Sequence, residues 1–304
     1  SGDLRIGAEA VARVALRGSG RLEEVLILAD RVEELEGRIE SASWKSAKKE
    51  DLERMSAADF WNSNDRLPVL ASSELRDRID SGTCTARSLL DRLGGDAENS
   101  RDRYPPELIR RLAMQIHLLK SALQVLDDEL PQDAFIRIRP IQRDRESPKD
   151  GAQWSQQVVE MVKTWAKKRN MTLIEFDISS AVEEPEGSWM AAVTGFAAYS
   201  LLEPLAGIHE LERPEESRND RRLHARIDVV PRPLGQSPAG ESGVYQQARE
   251  LMKADSKIGE VVRRYRVGEN PKLVDLRQGW RCASPEDALA GDFDLVGSLA
   301  ALSR

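Results

Sequence analysis

Pro131-Gln132-Asp133-Ala134-Phe135-Ile136-Arg137-Ile138-Arg139 decides the fold class of this 304-residue chain. Before it, apolar residues recur every three or four positions; from Phe135 onward they recur every second position. The first spacing fits a helix of about 3.6 residues per turn, and the second fits a strand whose side chains alternate between faces. A change of period at a proline separates two kinds of packing.

Upstream, Val25, Leu28, Val32, Leu35 and Ile39 alternate steps of three and four, a heptad-like seam with Glu and Arg on the other faces. Arg101–Pro106 is a breaker, with Pro105-Pro106 placed to open a helix. There Leu108, Leu112, Ile116, Leu119, Leu123, Leu126 and Leu130 form a second stripe. Neither segment buries its stripe alone, so the two are expected to pair as an antiparallel hairpin in a helical, coiled-coil-like domain of residues 1–133.

Downstream, Phe135–Arg139 reads as a strand, and Trp154, Val158, Met161 and Trp165 mark a helix with one buried face. Ile174, Phe176 and Ile178 suggest a second strand. Trp189–Tyr199 suggests a third, with Gly195 at a bulge or close approach. Leu223, Ala225, Ile227 and Val229 alternate with His224, Arg226 and Asp228 in a fourth. Strands around one helix make this part α+β. Three prolines and three glycines between Pro231 and Gly243 read as a linker, and Val244–Arg264 as one charged helix. An apolar run begins at Leu273, and Ser284 is placed to cap a helix opened by Pro285.

Hydrophobic residues make up 40% and charged residues 32% of the chain, and no apolar run approaches the roughly 18 residues of a membrane span. Ser1–Arg17 has no secretory pattern, and two separated cysteines, Cys84 and Cys282, fit a reducing cytoplasm. With His117, His209 and His224 as the only imidazoles, no metal-ligand spacing occurs and no cofactor is expected. The formal charge of -7 argues against a general nucleic-acid coat while leaving room for a local basic patch.

Four segments, in order, resemble the bacterial peptide chain release factors of the release-factor-two type. Asp59-Phe60-Trp61-Asn62 is similar to a signature of the family's helical domain. Ala152-Gln153-Trp154 with Met161, Trp165-Ala166 and Arg169-Asn170 resembles the helix of its central domain. Gly207-Ile208-His209-Glu210-Leu211 and Arg221-Arg222-Leu223-His224 resemble Gly-Val-His-Arg-Leu and Arg-Arg-His-Thr-Ser. Val262–Tyr265, Val274–Gly279 and Ala288–Asp294 are similar to the family's final segments. The resemblance implies a central α+β domain over 134–235, with 263–304 packing on it.

Family members hydrolyse peptidyl-tRNA with a Gly-Gly-Gln tip in a domain inserted before the final segment. Here that interval, about Pro233 to Val262, holds Gly235-Gln236 followed by Ser237-Pro238 and is too short for such a domain. A turn-forming loop is the better reading, with 236–262 a linker and helix in place of the catalytic domain, and no residue is assigned to catalysis. Where the family reads a stop codon with Ser-Pro-Phe, this chain has Arg213-Pro214-Glu215-Glu216-Ser217, whose carboxylates repel an mRNA backbone. The family's glycine-rich turn is likewise replaced by Pro140–Arg145.

His224 keeps the family's place near the codon, although a histidine on an exposed strand face is more often a solvated residue; His209 reads as a hydrogen-bonder where the chain turns. Arg218, Arg221, Arg222, Arg226 and Arg232 fall within fifteen residues and, with His224, form the candidate ribosome or RNA contact. Two functions follow. One is a non-catalytic release-factor-like protein that binds ribosomal RNA and protein and modulates termination or rescue. The other is a repurposed scaffold binding a protein partner through its helices. A hydrolase with another active site is weakly supported, since neither His209 nor His224 sits by an obvious nucleophile.

Overall fold

A computed structural model of the chain describes residues 2–97, 103–141, 148–178, 184–213, 221–235, 240–253 and 259–300. They divide into two units, Ser1–Leu130 and Pro131–Arg304.

The first unit contains α1 (Gly2–Arg17), α2 (Leu22–Glu40), α3 (Ala42–Met55), α4 (Arg66–Ala97) and α5 (Pro106–Asp127). The α2 seam is buried at Val25, Leu28, Val32 and Leu35. The direction of its partner differs from the expected hairpin. Arg38 meets Asp127 at 2.5 Å and Lys120 meets Glu34 at 3.3 Å, so later residues of α2 lie beside later residues of α5. The two helices run parallel, and α4 packs against both.

Helix α4 hides its pattern. Leu75, Ile79, Ala86, Leu89 and Leu93 are buried, but Thr83 interrupts them. Its hydroxyl donates to the Ile79 carbonyl at 2.9 Å, which lets a polar residue sit in an apolar stripe. Helix α3 runs antiparallel to α4, with Trp44 donating to Asp80 at 2.9 Å and Asp51 paired with Arg76. On α5 the buried face includes Ile109, Leu112, Ala113, Ile116, Leu119, Ala122 and Val125. Leu108, Leu123 and Leu126 are half-buried at its margin, and Leu130 lies exposed beyond its end.

The second unit is α+β. Its sheet has eight strands: β1 (Ala134–Ile141), β2 (Thr172–Glu175), β3 (Trp189–Thr194), β4 (Gly207–Arg213), β5 (Arg221–Pro231), β6 (Val261–Arg266), β7 (Lys272–Asp275) and β8 (Trp280–Cys282). The order is β2-β3-β1-β5-β4-β6-β7-β8, antiparallel except where β4 and β6 pair in parallel. Helix α6 (Pro148–Lys168) buries Trp154, Val158, Met161 and Trp165 against one face. Helix α8 (Gly240–Lys253) covers part of the other, where Ala248 and Met252 pack on Phe135, Met190, Ala192 and Val230.

Several expected elements have different bounds. The third strand stops at Thr194: Gly195 follows at φ +157°, and a Cβ there would strike Met171. Residues Ala198–Leu202 form a short helix, α7, rather than strand. Ile178 lies beyond β2 and packs beside the core under α8. Strand β4 escapes a period-two reading because it places His209 and Glu210, both buried, between Ile208 and Leu211. Val244–Arg264 is not one helix, since α8 ends at Lys253 and Val261–Arg266 is strand.

After β8, Pro285 opens a single turn that the Ser284 side chain does not cap. A kink at Gly291 then leads to α9 (Phe293–Ala300). Gly291 has φ +87°, and a Cβ would lie 2.6 Å from the Trp165 nitrogen, so only glycine lets this segment close on α6. Among the described residues no helix is long and apolar enough to cross a membrane.

Candidate functional site

Alternation along β5 sends Leu223, Ala225, Ile227 and Val229 to the face covered by α6. Arg222, His224, Arg226 and Asp228 go to the opposite face. Register then sets their neighbours. Arg137 stands opposite Asp228 and Arg139 opposite Arg226 on β1, while Glu210 stands opposite His224 and Glu212 opposite Arg222 on β4. Beyond β4, Arg264 and Arg266 of β6 face Glu210 and Glu212. The result is a charged ladder across four strands.

Glu210 is the hub of one half. Its carboxylate accepts from Arg264 Nε at 2.5 Å, lies 3.7 Å from Arg222 and meets His224 Nε2 at 3.2 Å. Burial works to raise its pKa, but the bonds from Arg264 and His224 and the charges of Arg264 and Arg222 hold it below the usual carboxylate range. Asp228 is the hub of the other half. It accepts from Arg137 Nη2 at 2.9 Å and from Arg226 Nε at 2.6 Å, and Arg137 also reaches Glu184 at 3.2 Å.

The expected basic patch therefore divides. Arg218 lies outside the described residues, and Arg221 is described only as the first residue of β5. Arg222 is half-exposed and near Glu210 and Glu212. Arg226, a candidate contact, is buried within the ladder, and so is His224, which is therefore not the solvated strand residue expected from sequence. Arg232 places its guanidinium 5.9 Å from the Phe135 ring centroid.

His209 corrects a second expectation, because it sits within β4 rather than at a turn. It is fully buried, with Nε2 2.8 Å from the Leu205 carbonyl and Nδ1 3.0 Å from the Tyr265 hydroxyl. Burial, reinforced by Arg263, lowers its pKa to about 3, so the ring is neutral and structural. Sequence reasoning passed over Arg137, Arg139, Glu210 and Arg264. The available signal was charge alternation, Arg137-Ile138-Arg139 on one strand and Glu210 and Glu212 on another.

Among the described residues the ladder holds a surplus of positive charge. That suits anion contact, whereas among the described residues of the ladder no nucleophile is set beside a base. Among the described residues no group of three or more His, Cys, Asp and Glu side chains is arranged to hold a metal.

No family model matches the chain, and no curated protein does. Among solved structures, RF2 of Thermus thermophilus is similar at 18% identity and a TM-score of 0.43, over 88% of this chain and 97% of that chain.

Proposed function

We propose that this chain is a release-factor-like protein that binds the ribosome and modulates termination or rescue, without reading a stop codon or hydrolysing peptidyl-tRNA. The ordered sequence resemblance supports the ribosomal part. The observation that carries the non-catalytic part is the route from β5 to β6. Between Pro231 and Val261 the chain holds α8, whose Ala248 and Met252 pack back onto the sheet, and then pairs β6 with β4. Among the described residues of this interval, 231–235, 240–253 and 259–261, the chain folds down onto the sheet rather than out as an arm that could carry a tip to a distant ester, which supports the non-catalytic reading.

Sedimentation with ribosomes at low and moderate salt, beside a peptide-release assay on programmed ribosomes, tests the reading. Co-migration without release is expected. Release abolished by Gln236→Ala would reverse the non-catalytic half, and absence from the ribosomal pellet at every salt concentration would reverse the other.

A second reading, a scaffold for a protein partner, is favoured by the helical unit. It exposes Leu22, Leu26, Leu52 and Trp61, the last at 63%. Capture of a non-ribosomal protein that is lost on Trp61→Ala and Leu52→Ala would support it.

A further inference from the structure

Three guanidinium groups surround Asp228. Arg137 and Arg226 hydrogen-bond to it, whereas Arg139 Nε stands 3.7 Å away, beyond bonding distance. The second carboxylate of the group, Glu184, serves Arg137. Among the described residues three cations thus face two anions, in a region where Arg137, Arg226 and Asp228 are all less than a tenth exposed. Arg139 Nε is buried and has no hydrogen-bond acceptor among the described residues. Burial lowers the pKa of Arg139, and the charges of Arg137 and Arg226 lower it further, against a partial offset from Asp228 and Glu184. The next carboxylates on the sheet, Glu210 and Glu212, are occupied by Arg264, Arg266, Arg222 and His224. A partly desolvated cation whose Nε lacks an acceptor is a place where an added anion gains most.

We propose that Arg139, with Arg226 directly across from it, forms an oxyanion site that takes a phosphate group. A phosphate has enough oxygens to accept from the Arg139 fork while its charge offsets the local surplus, which chloride cannot do with directed bonds. Access comes through Arg139, whose side chain is 28% exposed; Arg137 and Arg226 are more enclosed and position it. The site does not depend on the ribosomal reading, because a free phosphate monoester and a nucleic-acid diester share the recognised chemistry.

The test is thermal melting of the full chain with inorganic phosphate, uridine monophosphate or the dinucleotide UpU, each against chloride at equal ionic strength. Inorganic phosphate at about ten times its dissociation constant should raise the melting temperature by roughly 3–6 °C. Arg139→Gln should abolish that rise. Without phosphate this variant should melt no lower than the parent, since it removes a repelled charge. Stabilisation by the monophosphate alone assigns monoesters as ligands, and stabilisation by UpU as well extends the site to nucleic-acid backbone. No phosphate-specific rise in the parent, or an equal rise in Arg139→Gln, would overturn the proposal. No ribosome is present, so failure here is distinct from failure of the sedimentation experiment.

Discussion

Arg169 grips Asp294 with both arms of its guanidinium, Nε to Oδ2 at 2.9 Å and Nη2 to Oδ1 at 2.5 Å, with the arginine side chain wholly buried. This fork ties the residue just past α6 to α9. Burial opposes the charge of Arg169, but Asp294 and Asp292 together hold its pKa above the ordinary value. Asp294→Ala should therefore cost about 3–5 kcal/mol, toward the lower end because Asp292 remains 3.1 Å away. Urea unfolding followed by tryptophan fluorescence measures it, and a loss under 1 kcal/mol would show that the fork is incidental.

His209 makes acid sensitivity predictable. Its folded pKa of about 3 lies below the roughly 6.5 of an unfolded histidine, so between those values the unfolded chain holds a proton that the folded chain lacks. Stability from this group is complete above about pH 6.5 and falls as pH drops, by at most about 1.4 kcal/mol per pH unit. His209→Phe should be less stable than the parent at pH 8, having lost the bonds to Leu205 and Tyr265, yet show a shallower decline from pH 6 to pH 4. An unchanged slope would remove His209 as the source.

Glu210 offers the complementary case. Its folded pKa is depressed, so its contribution is present at neutral pH and is lost as pH falls through the folded value. Glu210→Gln leaves Arg264, Arg222 and His224 around a neutral amide and should cost about 2–4 kcal/mol at pH 7. Equilibrium unfolding at pH 7 checks this, and a variant as stable as the parent would mean that solvent already screens the ladder.

For the ribosomal reading, each arginine that neutralises a phosphate releases counterions. Arg221→Ala with Arg222→Ala should weaken binding and flatten its salt dependence by roughly one to two units. Gln236→Ala should do neither, and Glu215→Gln with Glu216→Gln should strengthen binding if the strand faces RNA. Salt-titrated sedimentation reads all three. Binding by the double arginine variant equal to the parent at every salt concentration would leave these residues as a solvated rim and favour the scaffold reading.

The readable parts of the sequence were those with one buried face. Strands β1 and β5, helix α6 and the seam of α2 each bury a regular set of residues, and their periods are visible. Helix α4 was not legible because Thr83 satisfies itself on the helix backbone and so breaks the stripe. Strand β4 was not legible because its buried histidine and glutamate find partners on β6 and β5, residues distant in sequence. The ladder was half legible. Alternation placed Arg222, His224 and Arg226 on one face, but that cross-strand carboxylates meet them there depended on register.

The parallel joint between β4 and β6 also sets an order of assembly. Every other pairing in the sheet is antiparallel, whereas β6 reaches β4 only after the chain has passed through β5 and α8. During synthesis, which proceeds from the amino end, β4 presents an open edge until residues 261–266 exist to cover it. Glu210 and Glu212 meanwhile lack Arg264 and Arg266, and the acidic edge they leave disfavours pairing with an identical unfinished chain. The same ion pairs that close the finished sheet thus leave behind, while it is unfinished, a charge that guards it against the wrong strand.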